Sequence, residues 1–229
     1  MKYTYLLAKK YLNERLICFL RDNVKPKAKE QHKIQSRKRI LQAAILLFSR
    51  HGFAETGMRE LVARADVNLS MVNYFFGSKK GLLKEILNDF FSGYLAIAKD
   101  KLVAEGDLHL RLEQFIGDAV RYFDANRDAL VIAISELPHD DPEILEYKAG
   151  WARQMVEIVN REICQPLAVK SGQVIPPTCF APMLTTLMAS RFIFAPVMEK
   201  VEEGSSKAVA MEDYSRMIVR IFLQGIGTA

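Results

Sequence analysis

Apolar residues recur along most of this chain at spacings of three and four, the period of helices that turn one face inward. The clearest stripe, Ile40, Ala43, Ala44, Leu47 and Phe48, predicts a helix over 36–50, and Gly52 stands where a helix-ending glycine belongs. Met58, Leu61, Val62 and Ala65 predict a short second helix with Arg59, Glu60 and Arg64 on its wet side. Thr56 is the natural N-cap for it, although Gly57 is a weak helix former in a first turn. The next three residues, 65–67, form a tight turn. Asn68 then offers a side-chain oxygen to the freed amides of a third helix over 69–75. Two short helices around a tight polar turn make a helix-turn-helix.

Beyond Gly77 and Ser78, the stripe Leu82, Leu83, Ile86, Leu87, Phe90 and Tyr94 predicts a long fourth helix over 79–102. Further helices fall near 108–125, 127–137, 142–170, 178–201 and 208–225, and no alternating strand pattern interrupts them. The expected fold class is all-α. Upstream, Tyr5, Ala8, Leu12, Leu16 and Phe19 allow an amphipathic helix, while 23–35 turns polar and basic around Pro26, which argues against helix continuity. This stretch reads as a mobile arm. It could track phosphates with its cations, but the commoner fate of a basic tail is to be solvated.

Charge sharpens this picture. Half of the residues are hydrophobic and 26% charged, which is globular composition and not that of a disordered chain. The net charge of +5 conceals a split: residues 1–80 carry 17 Lys and Arg against 6 Asp and Glu, and the remainder carries 15 against 21. Cation concentrated beside a helix-turn-helix implies an anionic partner for that part of the chain. Cys18, Cys164 and Cys179 lack the spacing of a metal knuckle or a disulfide framework, as expected of reduced thiols in a cytoplasmic protein. No apolar run approaches bilayer length, and no membrane partner is expected.

Rival chemistry is thin. His139, Asp140, Asp141 and Glu143 cluster, but Asp141, Pro142 and Glu143 in that order spell a helix start: a carboxylate cap, proline at the first position and an acid favoured by the dipole. No second His or Cys stands at ligand spacing, so no metal is expected. A phosphate-cradling glycine loop, a nucleophile elbow and a metal-binding histidine pair are all absent from the sequence, which leaves an enzyme reading without residues and calls for no cofactor. Phe115, Tyr122, Trp151, Met155, Met188 and Phe192 are candidates to line an apolar pocket, each with core packing as its alternative.

With these helices placed, residues 39–83 resemble the DNA-binding domain of the tetracycline-repressor (TetR) family of bacterial transcription regulators. The resemblance rests on RILQAAILLF for the first helix, Gly52 and Thr56 around the following turn, LVARADV across the second helix, and VNYFFGSKKGLL across the third helix and the start of the fourth. It implies a basic extension over 1–33, a helix-turn-helix DNA-binding domain over 34–94, and a larger helical domain over 95–229 that binds a small effector and forms a homodimer. The implied partners are double-stranded DNA with a palindromic operator and an apolar effector, and the implied role is a repressor. Arg59 matches a position that can reach a base, Leu69, Ser70, Met71 and Asn73 match groove-facing positions, and Tyr74 and Lys79 match phosphate contacts. Thr56, Asn68 and Lys80 complete the candidate DNA-binding set. The chemistry permits these roles, since Arg can grip guanine, Asn can bridge adenine, and Leu or Met can touch a thymine methyl. Two positions depart from the family pattern. Asn73 replaces the commonest tyrosine and could read a base or serve local backbone bonding. Phe75 replaces a frequent histidine and has no donor for a phosphate.

Overall fold

The stripe that begins at Ile40 lies on a helix that starts well before it. Helix α1 spans Ala28–His51 in the computed structural model, which describes residues 28–134, 141–172, 174–201 and 209–227. Residues 28–35, expected in a mobile arm, are therefore helical. They contain neither Pro nor Gly, and docking of the apolar stripe behind them supports a turn that isolated propensity would not. The expected helix within 1–21 and the rest of the arm lie outside the described residues.

Gly52 ends α1 at a φ of 83°, donating its amide to the Phe48 carbonyl at 3.0 Å. Helix α2 is Met58–Ala65, α3 is Leu69–Phe76 and α4 is Lys79–Leu102. Thr56 does not cap α2. It is buried and its hydroxyl donates back to the Gly52 carbonyl at 2.8 Å, while Gly57 takes the N-cap position without a side-chain bond. Between α2 and α3, Asp66 turns left-handed at a φ of 51°, and its carboxylate accepts from Arg39 at 2.9 Å. Ile40, Ala44, Phe48, Leu61, Val72, Leu82 and Leu83 close a core of zero side-chain exposure among these four helices.

The chain then continues through α5, Leu108–Ala125, and α6, Arg127–Ile134. Asp107 caps α5, accepting the Leu110 amide at 3.2 Å. Helix α7, Pro142–Val159, passes through a π-helical turn at Asn160–Cys164 into α8, Gln165–Ser171. The predicted single helix over 142–170 is thus continuous but slips register just before Pro166, which has no amide to give its own i−4 carbonyl. The predicted helix over 178–201 divides at Phe194 into α9, Pro177–Ile193, and α10, Ala195–Val201, bent by 53°. Helix α11 is Met211–Gly227. No single described helix is long and apolar enough to cross a membrane.

Helix α4 belongs to both halves. Its first turns pack against α1 and α3, and its later turns pack against α5 through stacked rings: Phe90 on Phe123 at 5.9 Å and Tyr94 on Phe115 at 6.0 Å. The crossing is close. A Cβ at Gly93 would lie 2.4 Å from the Tyr122 hydroxyl, which donates to the Phe90 carbonyl at 2.9 Å. At 24 residues and 1.5 Å per residue, α4 carries a displacement over about 36 Å.

Candidate nucleic-acid interface and cavity

Helix α3 is amphipathic, and its division between core and solvent fixes what it can present. Val72 is fully buried, while Met71, Phe75 and Phe76 pack against the core. Phe75 stacks edge-on to Tyr74 at 5.0 Å. Met71 is half-buried and lies one turn before Phe75 on the same inward-leaning face. The outward face carries Asn68, Leu69, Ser70, Asn73 and Tyr74, with Leu69 48% and Tyr74 68% exposed. Asn68 caps the helix, accepting the Met71 amide at 3.0 Å and the Ser70 hydroxyl at 2.6 Å. Arg59 is exposed on α2.

Around this face lie cations with different commitments. Lys33, assigned by sequence to the arm, sits on α1 and donates to the Tyr74 hydroxyl at 3.1 Å, which adds a cation to the same surface. The available signal was its spacing of four from Arg37, whose guanidinium lies 5.4 Å over the Phe76 ring. Lys79 donates to the Ala54 carbonyl at 3.2 Å and sits 4.6 Å over the Phe53 ring, and partial burial lowers its pKa. Adjacent residues on a helix point about 100° apart, and Lys80 accordingly turns away. It pairs with Asp141 at 2.7 Å and Glu143 at 3.0 Å, while Lys84 pairs with Glu143 at 2.6 Å. Lys80 is thus engaged as a clamp between α4 and the start of α7. Asp141 also caps α7 as expected, accepting the Glu143 and Ile144 amides at 3.0 and 3.1 Å. His139 and Asp140 lie outside the described residues.

Helices α4, α6, α7 and α9 border an open-sided cavity of about 450 Å³. Its wall is largely apolar and includes Phe91, Leu95, Trp151 and Met155, with Tyr94, Lys148, Thr185 and Thr186 as polar points. Of the six pocket candidates, Trp151 and Met155 line this cavity. Phe192 lines a second hollow with Arg127 and Tyr214. Phe115 and Met188 are fully buried core, and Tyr122 is taken up by the α4–α5 contact, so these three are packing residues. Sequence reasoning missed Lys148, which occupies α7 three residues after Leu145 and so joins the stripe that faces the cavity.

The last helices present a second exposed apolar surface. Ile218 and Phe222 are buried inside the protomer, with Phe222 against Phe180 at 5.1 Å. Met217 and Ile221 are about half exposed, as are Phe194, Val197 and Met198.

Comparison with known proteins agrees with this geometry. The family described as bacterial regulatory proteins, tetR family, matches residues 40–86. The chain is 28% identical over 122 residues to "Probable HTH-type transcriptional regulator YttP" of Bacillus subtilis strain 168, a match covering 52% of this chain and 58% of that protein. The chain thus spans little more than half the length of that relative. A bacterial regulatory protein in the tetR family from Rhodococcus RHA1 superposes with a TM-score of 0.70 at 21% identity, over 85% of this chain and 98% of that one. The transcriptional regulator FadR from Bacillus subtilis, solved in complex with stearoyl-CoA, gives 0.63 at 12% identity over 82% and 98%. Residues 40–86 thus match the family model of bacterial regulatory proteins, tetR family, and the described residues share the all-helical fold of the Rhodococcus tetR-family protein.

Proposed function

We propose that this protein is a cytoplasmic, dimeric, sequence-specific transcription regulator, a repressor whose hold on a palindromic operator is released by a small apolar effector. The observation that carries the reading is the outward face of α3, which presents Leu69, Ser70, Asn73 and Tyr74, with Lys33 at the Tyr74 hydroxyl and Arg59 exposed on α2, over a firmly packed helical unit. Asn73 and Arg59 read base edges in the major groove, and Tyr74, Lys33 and Lys79 hold phosphates. The exposed strip of Met217, Ile221, Phe194 and Val197 joins two copies about a two-fold axis, which calls for a two-fold operator.

The cavity favours an effector-responsive regulator over an architectural DNA binder, because Phe91, Tyr94 and Leu95 of its wall belong to α4, the helix that begins at Lys79. A guest that displaces the cavity end of α4 also displaces the DNA end. A swing from 1:99 to 99:1 requires about 5.5 kcal/mol of differential affinity, and linkage makes DNA weaken the guest equally.

The reading is tested by selecting bound sequences from a random duplex pool and measuring variants on the selected site. Arg59→Ala costs about 1–3 kcal/mol chiefly on that site, whereas Lys79→Ala weakens all duplexes alike and lowers the salt slope by about one unit. Recovery of no preferred sequence sinks the proposal.

A further inference from the structure

We propose that the cavity bounded by α4, α6, α7 and α9 takes an apolar monoanion, of the medium-chain carboxylate class, with its head held by the Lys148 ammonium. This rests on the effector reading above and names the chemistry of the guest.

The polar lining is asymmetric. Thr185 donates its hydroxyl to the Ala181 carbonyl at 3.0 Å, so in its 3.0 Å contact with Tyr94 the tyrosine must be the donor. Both hydroxyl protons are committed. Among the described residues, the donors left to a guest are the Lys148 ammonium, the Thr186 hydroxyl and the Trp151 indole N–H, and no Asp or Glu lines the wall. Lys148 has no ion pair among the described residues, and burial lowers its pKa, which is the condition of a cation that lacks its counter-charge. A lining with free donors, one positive charge and no carboxylate favours an anion over a neutral or cationic guest of equal size. The apolar remainder favours a hydrocarbon body.

Size narrows the class. At a share of ~30 Å³ for each small group in a liquid, 450 Å³ holds roughly 15 non-hydrogen atoms. Dodecanoate, with twelve carbons and two oxygens, fits that figure.

The chain carries a single tryptophan, and Trp151 is on the cavity wall, so its fluorescence reports occupancy without a label. Dodecanoate, dodecanol and dodecylammonium are titrated into the wild type, Lys148→Met and Lys148→Arg, with thermal melts confirming that each variant folds. The expected result is that dodecanoate binds the wild type at least about tenfold more tightly than dodecanol. Dodecylammonium binds most weakly. Lys148→Met brings the dodecanoate to dodecanol ratio to about one without loss of dodecanol binding, and Lys148→Arg keeps the preference. Equal binding of acid and alcohol by the wild type, a preference that survives Lys148→Met, or no Trp151 response to either overturns the inference. Operator affinity is measured in the same samples. Lys148-dependent binding that leaves operator affinity unchanged upholds the monoanion site and overturns the release mechanism instead.

Discussion

Asn68 holds two roles that a series of substitutions separates. Helix α3 has only eight residues, so half of its amides lie in the first turn without an intrahelical partner. Asn68 Oδ1 takes the Met71 amide at 3.0 Å, and the alternative bond to the Asn68 carbonyl, at 3.1 Å, closes only a tight turn. Replacing such a cap by Ala costs about 1 kcal/mol, and by Gly only a few tenths. For a chain of 229 residues, 1 kcal/mol lowers Tm by about 2–4 °C. Asn68→Asp keeps the acceptor and gains from the helix dipole, yet sets a negative charge against phosphates. Thermal stability should therefore run Asp at or above Asn, then Gly, then Ala. Operator affinity should run differently, with Asp lowest. Differential scanning calorimetry and fluorescence anisotropy on the selected operator give the two orders. If Asn68→Ala melted with the wild type while losing operator affinity, Asn68 would be a DNA contact and not a cap, and the reasoning would fail.

Gly81→Ala places a Cβ 1.9 Å from the Phe76 carbonyl oxygen, a backbone atom that cannot step aside, so α3 must shift on α4. The cost is about 1–3 kcal/mol or more, and operator affinity falls although Gly81 touches no DNA; an unchanged melt and affinity would contradict this. The clamp is acid-sensitive. The Lys80 ammonium, helped by the Ile144 amide, holds the Asp141 pKa down, and Lys84 followed by Lys80 does so for Glu143. With folded pKa values below the unfolded ones, the stabilisation is full above the ordinary carboxylate range and is lost as pH falls through the folded values. Hydrogen exchange of the Ile144 and Leu145 amides, corrected for intrinsic rates, should show protection constant from about pH 7 to pH 5 and falling below about pH 4, and less so in Glu143→Gln. Met217→Glu with Ile221→Glu adds two charges to the exposed face of α11 and should yield monomers by sedimentation, with helix content kept, because neither side chain is needed by the protomer core. A dimer that persists would place the interface elsewhere.

What the sequence determined by itself is local. Stripes at three and four residues place helices because a helix brings those positions onto one face whatever lies opposite. Asn68, Asp141 and the stop at Gly52 were legible because each acts on backbone within four residues. The helix-turn-helix, being a short run of such local signals, was readable nearly in full. Thr56 was misread because two backbone oxygens and amides compete for one hydroxyl, and only its burial against the end of α1 selects Gly52.

Everything that joins distant segments was decided by tertiary structure. A stripe says that a residue faces inward but not whether a neighbour or a cavity meets it there, so Phe115 and Met188 became core while Trp151 and Met155 became wall. Ile218 and Phe222 follow the same rule: they face inward, and α5 and α9 are what meets them there. Lys33 meets Tyr74 across 41 residues, and Lys80 meets Glu143 across 63. A lysine next to a DNA-binding helix has the same composition whether it faces phosphate or carboxylate. The choice between Lys79 and Lys80 lies in the 100° between adjacent side chains and in where α7 begins, which is a property of packing and not of any local run of residues.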